Sequence, residues 1–122
     1  MKGIMKLGPG TSGSTYVRDN WIEVDIGVST LVAGVITQGG VSFRVTQYRV
    51  RYKKLPSSDF DDVIHRNGSI KVFEGNIQDA RTPVTNMFDQ SIVATIVRIL
   101  PVAYKHGICL RLEMLGCQTK VK

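Results

Sequence analysis

The chain contains only two cysteines among its 122 residues, Cys109 and Cys117. If both lie on one extended strand, eight residue steps place them roughly 26 Å apart, since each step advances about 3.3 Å. A disulfide needs Cα atoms within about 7 Å of each other. We therefore predict that the two do not pair in that strand, and that each is a free thiol or pairs with a cysteine outside this sequence.

Long apolar runs are also absent. No stretch approaches the roughly 20 residues of a transmembrane helix. The basic start MKGIMK is followed by glycine, proline and serine, where a secretory signal peptide has an apolar run. We therefore expect neither a membrane span nor a signal peptide in this sequence. The hydrophobic fraction of 43% is ordinary for a globular protein and excludes disorder, and the length suits one domain with its own core.

Signatures of catalysis and of metal binding are missing as well. His65 and His106 lie in predicted loops without the spacing of metal ligands, and the sequence has no Gly-rich phosphate loop or nucleophile elbow. Asp61 and Asp62 are neighbours on a predicted strand, so their carboxylates point to opposite faces and do not form a catalytic pair. We predict that the chain is not an enzyme and binds no cofactor.

Acidic residues are fewer than basic ones. Sixteen Lys and Arg against ten Asp and Glu give a formal charge of +6, which either favours an anionic partner or only aids solubility. The basic residues are scattered without a run of five, which excludes binding of nucleic acid through a basic tail. The strip of stacked aromatic and basic residues typical of oligonucleotide-binding barrels is also not evident. We therefore predict no nucleic-acid partner.

The sequence does contain repeated alternation of apolar and polar residues, which is typical of half-buried strands. Ile22 and Val24 alternate with Glu23 and Asp25, and turn residues separate the stretches that show this pattern. The twelve glycines suit many chain reversals. The pattern predicts an all-β, antiparallel sandwich or barrel. Its predicted strands are 21–27, 31–38, 43–54, 59–64, 71–73, 91–100 (ended by Pro101) and 107–115.

Six stretches in order resemble the coagulation factor V/VIII type C domain, also called the discoidin domain. They are WIEVDIG (21–27), VAGVITQGG (32–40), VTQYRVRY (45–52), IKVFEGN (70–76), VTNMFDQSIVATIVRILP (84–101) and ICLRLEMLGC (108–117). Together they cover most of residues 21–117. The sequence therefore predicts an irregular arm and loop over 1–20, a barrel domain over 21–117 and a tail over 118–122.

The resemblance implies a distorted jelly-roll-like barrel with both termini at one end and binding loops at the other. Members of the family are not enzymes and bind phosphatidylserine membranes, glycans, collagen or protein receptors. Some relatives bind calcium through loops that are mostly lacking here, so the sequence gives no support for calcium. The resemblance also implies an extracellular or cell-surface location.

The binding residues are expected in loops, because a closed barrel fills its own interior with side chains. If the strands reverse simply, the loops 11–20, 39–43, 65–69 and 101–107 gather at one end. Aromatic rings there would pack on sugars, and cations would meet phosphate or sulfate oxygens. The candidate ligand-binding residues are Tyr16, Arg18, Asp19, Val41, Ser42, Phe43, Arg44, His65, Arg66, Tyr104 and Lys105.

The chain also departs from the family pattern. The N-terminal strand region and its cysteine are missing, which implies a shortened barrel in which Cys117 is unpaired. The loop after Gly39 is short, and Phe43 is expected to fill the barrel end rather than to project. Arg111 is expected to pair with a carboxylate such as Glu113 or Asp25.

Three functions remain open from the sequence. The first is a lectin-like module that binds cell-surface or microbial glycans through the loops. The second is a module for phosphatidylserine or other anionic membrane lipids, which the positive charge favours. The third is an oligomeric protein-interaction domain, because a missing first strand would leave an unpaired strand edge that tends to pair with another copy.

Overall fold

A computed structural model of the chain describes residues 4–7, 21–40, 43–106 and 110–118. All regular structure in these residues is β, in one antiparallel seven-stranded sheet, and no helix occurs among them. This confirms the predicted fold class. The strands are β1 (Ile4–Leu7), β2 (Ile22–Gln38), β3 (Arg44–Lys53), β4 (Asp61–Asp62), β5 (Phe73–Glu74), β6 (Val84–Lys105) and β7 (Arg111–Gln118).

The two long strands, β2 and β6, form the centre of the sheet. They pair antiparallel, with register breaks between Asp25 and Thr30 and again between Val32 and Gly34. The two predicted strands 21–27 and 31–38 are therefore one strand that contains an irregularity. Gly27 lies inside the first break with a φ of 86°, a conformation that L side chains rarely adopt. The sheet bends there without ending.

Pro101 does not end β6, contrary to the sequence prediction. The strand continues to Lys105, and Pro101 faces Tyr48 of β3 next to a register shift at Gln47. A proline has no N–H to give to the ladder, so it is tolerated in a sheet at such a bulge. The result is a 22-residue strand that pairs with β2 over its first part and with β3 over its last part.

The N-terminal segment is not wholly irregular as predicted, because β1 pairs antiparallel with residues 22–25 of β2. Farther along, residues 30–38 of β2 pair with β7, and β6 lies on the other side of β2. The strand edge on which self-association was predicted is therefore largely covered. Self-association stays a prediction, but the exposed edge of β2 no longer provides its reason.

The core lies between the strands and follows their alternation. Tyr48, Phe73 and Phe88 form its aromatic centre, with ring centroids 5.4 Å apart for Tyr48–Phe73 and 5.7 Å apart for Phe73–Phe88. Aliphatic side chains of β2, β3, β6 and β7 surround them. Burial of a large apolar side chain contributes about 1.5–3 kcal/mol, so this cluster is the main source of stability.

The outward face of β3 carries the cations Arg49, Arg51 and Lys53, and much of this face is already engaged in contacts. Arg51 lies 3.4 Å from Asp62, in contact as an ion pair but without the geometry of a hydrogen bond. On the neighbouring strand β6, Arg98 donates to Glu23 at 2.7 Å and stacks between Trp21 and Phe60. These contacts favour the structural interpretation of this face over a ligand site.

Candidate functional site

One end of the barrel is formed by three segments of described residues, namely 38–40 with 43–44, 75–82 and 104–106, with Arg111 beside them; we call this the loop end. Backbone hydrogen bonds join the first two segments, from Gly39 N to Ala80 O at 2.6 Å and from Asn76 N to Val45 O at 2.9 Å. The third segment joins through sheet pairing, because Lys105 is the register partner of Arg44. The loops are therefore held together as one surface.

Asn76 is a buried residue whose side chain holds the base of this end together. It is fully buried, and its side-chain amide donates to Thr37 O at 3.1 Å and to Thr82 O at 3.0 Å. The first carbonyl lies directly before the segment that begins at Gln38, and the second belongs to the last residue of the segment 75–82. A nearby second anchor is Tyr48, whose hydroxyl accepts from Asn86 at 3.0 Å, and burial raises the pKa of Tyr48 to about 12. The base of the loop end is thus a buried polar network.

Phe43 is the projecting aromatic residue of the loop end. Its exposed fraction is 45%, so the expectation that it fills the barrel end is wrong. The physical reason is that the barrel below is already filled by the aromatic core, while the backbone carbonyl of Phe43 is held by Gly40 N at 3.0 Å. Ile77 and Val102 are also about half exposed.

The charge of the loop end is mainly positive. Its described residues carry the cations Arg44, Arg81, Lys105 and Arg111 against one carboxylate, Asp79. The Asp79 carboxylate is used within its own turn, where it accepts from the backbone N–H groups of Arg81 at 2.9 Å and Thr82 at 2.7 Å. These hydrogen bonds, the one from Thr82 first, lower the pKa of Asp79. The surface therefore presents a surplus of cations.

Two of the predicted site residues, His65 and Arg66, do not lie at the loop end. Their turn contacts residues 88–91 of β6, which lie at the register break with β2 and which we call the bend of β6. There Asp89 accepts from Arg66 N at 2.9 Å and from Lys71 Nζ at 3.0 Å. Together they line a cavity with Lys54, which follows the end of β3, whereas Arg44 begins that strand. The prediction that all four loops share one end is therefore wrong for the loop 65–69.

The other predicted residues divide into two groups. Phe43, Arg44, Tyr104 and Lys105 are brought together, since Val45 faces Tyr104 and Arg44 faces Lys105. The rest lie outside the described residues, namely Tyr16, Arg18, Asp19, Val41 and Ser42.

Residues of the segment 75–82 were missed by the sequence analysis. That segment lies between the predicted strands 71–73 and 91–100, yet it supplies Ile77 and Arg81 to the surface and the buried Asn76 to its base. Arg111 was assigned to a structural ion pair, but it is exposed opposite Gln38 and makes no ion pair within the described chain. Cys117 is exposed and free of any disulfide there, whereas Cys109 lies outside the described residues.

The paired carboxylate of Asp89 predicts a pH dependence of stability. The hydrogen bond from Lys71, followed by that from Arg66 N, lowers the pKa of Asp89 in the folded state. Between this lowered pKa and the ordinary value of about 3.9, the unfolded chain binds more protons, so stability rises with pH. The stability that the paired Asp89 carboxylate contributes is therefore fully present above the ordinary pKa. It is lost as the pH falls through the lowered pKa of the folded state.

We therefore expect Asp89→Asn to flatten the curve of unfolding free energy against pH in this acidic range and to lower stability at neutral pH. Urea unfolding followed by Trp21 fluorescence measures both effects. Asp59→Asn is the matched control, because the exposed Asp59 makes no hydrogen bond or ion pair within the described chain. If the Asp89→Asn curve paralleled that of the unsubstituted chain, the carboxylate would not be the source of the slope.

No group of three or more His, Cys, Asp or Glu side chains able to hold a metal ion occurs in residues 4–7, 21–40, 43–106 and 110–118. Over the same residues, none of the secondary structure is a helix of the length and hydropathy needed to cross a bilayer.

Comparison with known proteins gives the chain its family. The model of the F5/8 type C domain matches residues 8–114. Mouse lactadherin is 40% identical over 114 residues, which cover 92% of this chain and 24% of that protein. Human coagulation factor VIII is 37% identical over 102 residues, which cover 82% of this chain and 4% of that protein. The chain thus spans about a quarter or less of these relatives.

A solved structure agrees with the sequence matches. Recombinant discoidin II of Dictyostelium discoideum superposes with a TM-score of 0.69 at 26% identity, over 83% of this chain and 38% of that one. The antiparallel barrel, the family match over residues 8–114 and the identity to lactadherin agree with one another. The chain belongs to the F5/8 type C, or discoidin, domain family.

Proposed function

We propose that the chain is a non-enzymatic recognition module of the extracellular or cell-surface type that binds anionic phospholipid surfaces through its loop end. The observation that carries the proposal is the exposed ring of Phe43 next to two cationic residues, Arg44 and Lys105, which face each other on β3 and β6. The family includes members that bind phosphatidylserine membranes, and this supports a recognition role for the same end of the barrel.

The physics of a bilayer surface fits this combination of groups. An exposed apolar ring gains about 1.5–3 kcal/mol when it leaves water, and cations near an anionic leaflet add about 1 kcal/mol each. A single apolar side chain or a single cation gives only weak binding. Phe43 together with four cations on one rigid end supplies both kinds of contribution at once.

The glycan hypothesis is the alternative. A sugar site needs polar groups that are free to meet hydroxyls, and several polar groups of the loop end are engaged internally. Gln38 donates to Arg81 O, and Arg44 Nη2 donates to Ile77 O at 3.2 Å. The side chain of Asp79 is likewise used within its own turn. These contacts remove part of the polar surface that a sugar would need, which favours a lipid surface.

Co-sedimentation with vesicles tests the proposal. We expect binding to phosphatidylcholine vesicles that contain phosphatidylserine and little binding to pure phosphatidylcholine. Phe43→Ser is expected to weaken binding about 10- to 100-fold, which corresponds to the apolar transfer energy of the ring. Lys105→Gln is expected to weaken it about fivefold. Part of the binding should remain at moderate salt, because apolar insertion is not screened.

Two matched controls lie away from the loop end. Leu55→Ser changes a side chain that is 57% exposed in the turn after β3, and Lys54→Gln makes the same charge change as Lys105→Gln. Both should leave vesicle binding unchanged. Equal binding to neutral vesicles, or equal losses in the controls, would refute the lipid proposal. Binding of neutral sugars at the loop end without vesicle binding would favour the glycan alternative.

A further inference from the structure

A groove of about 550 Å³ lies far from the loop end, between the end of β3, the turn that follows β4 and the bend of β6. Its volume is within the range of small-molecule sites, about 300–1,000 Å³. Buried Val63 and Ile92 contribute to the lining with the half-buried ring of Tyr52. The groove therefore has an apolar lining that includes one aromatic side chain.

The wall of this groove is fixed by Asp89. Its carboxylate holds Lys71 Nζ at 3.0 Å and the backbone N–H of Arg66 at 2.9 Å, which fastens the turn after β4 to the bend of β6. The turn has its own support, because Asn67 accepts from Ser69 N at 3.0 Å. A ligand would thus meet a preformed wall, and the Asp89 charge there is already compensated by Lys71.

The charged side chains that line the groove without an ion pair are cationic. The side chains of Lys54 and Arg66 are exposed and make no hydrogen bond or ion pair within the described chain, and the same holds for the amide of Gln90. The carboxylate of Asp62 is compensated by Arg51 at 3.4 Å. The groove therefore offers two unpaired cations and an amide around an apolar lining.

The hydroxyl of Tyr52 is another free group. It makes no hydrogen bond within the described chain, and burial, with a smaller effect of Asp61, raises the pKa of Tyr52. The hydroxyl is therefore protonated at neutral pH and can donate. An aromatic ring with a donor at its tip, next to an amide, is suited to a sugar ring with its hydroxyls.

We propose that this groove is a second binding site for an acidic saccharide unit, one that bears a carboxylate or a sulfate. The sugar ring packs against Tyr52 and the apolar lining, its hydroxyls meet Gln90, and its anionic group reaches Lys54 and Arg66. A guanidinium group is suited to both anions because it presents paired donors. The site is separate from the loop end, since Arg44 begins β3 whereas Lys54 follows its last residue.

The test uses a sulfated, uronate-containing disaccharide prepared from heparin as the probe and lactose as the neutral comparison. Amide NMR titration is expected to show shifts at residues 52–54, 64–66 and 90–93 with the acidic probe and much smaller shifts with lactose. Arg66→Gln is expected to weaken binding about tenfold by calorimetry, because a charge-assisted hydrogen bond is lost. Lys54→Gln changes the second exposed cation of the groove and should likewise weaken binding of the acidic probe.

Arg49→Gln is the matched control, since it removes the same charge from the outward face of β3 outside the groove, and it should leave the affinity unchanged. Phe43→Ser should also bind the disaccharide normally, which separates this proposal from the proposed lipid function. The second site is refuted if the probe causes no shifts in the groove at millimolar concentration. It is equally refuted if Arg49→Gln weakens binding as much as Arg66→Gln, or if the shifts fall at Arg44 and Lys105 instead.

Discussion

Phe73→Ala is expected to lower the free energy of unfolding by about 3–5 kcal/mol, the usual cost of removing a buried ring. Phe73 is 2% exposed and contacts both Tyr48 and Phe88. Its strand β5 has only two residues, so this ring is the main packing contact of that strand. Domains are stable by about 5–15 kcal/mol, and the variant should lose a large part of that margin.

Urea denaturation followed by fluorescence measures this effect as a lower midpoint. Phe43→Ala is the matched control, because it removes the same ring from a site that is 45% exposed, and surface changes usually stay within about 0.5 kcal/mol. Phe73→Ala should therefore lose stability, whereas Phe43→Ala should keep its stability and lose vesicle binding. If Phe73→Ala unfolded at the same urea concentration as Phe43→Ala, the aromatic centre of the core would be assigned wrongly.

The antiparallel all-β fold could be predicted because alternation of apolar and polar residues records which face of a strand is buried. The lengths of β2 and β6 could not be predicted in the same way. Glycine and proline mark both turns and bulges, so Gly27 and Pro101 were interpreted as ends of strands. Only the partner strand, with its shifted register, distinguishes the two cases.

The candidate site was predicted less completely, because its contacts join distant parts of the chain. Phe43 and Lys105 could be placed near each other from strand reversal alone. The position of Asn76 beneath the loop end could not be predicted, since Asn76 lies in a segment without periodicity and its partner Thr37 is 39 residues away. The turn at His65 was misplaced because a local bridge between Ile64 and Ile70 directs it away from β3 and toward β6.

Asn76→Ala is the second change from which we expect a large effect. The side-chain amide donates to the carbonyls of Thr37 and Thr82, at 3.1 and 3.0 Å, from a fully buried position. Loss of the donor to the buried Thr37 O costs about 1–3 kcal/mol, and loss of the part-buried hydrogen bond to Thr82 O costs about 1 kcal/mol more, so the variant should lose about 2–4 kcal/mol of stability. Asn76→Asp should lose more, because it replaces the donor with a buried, unpaired negative charge.

The same change tests how the loop end is held. Asn76 joins Thr37, directly before the segment 38–40, to the segment 75–82. Its loss should therefore loosen the position of Phe43 relative to Arg81 and weaken vesicle binding even under conditions where the variant remains folded. Asn67→Ala is the control, because Asn67 accepts from Ser69 in an exposed turn away from this end. It should cost less than about 1 kcal/mol and leave vesicle binding intact. Vesicle affinity that stayed normal in folded Asn76→Ala would mean that each segment binds lipid independently of the other.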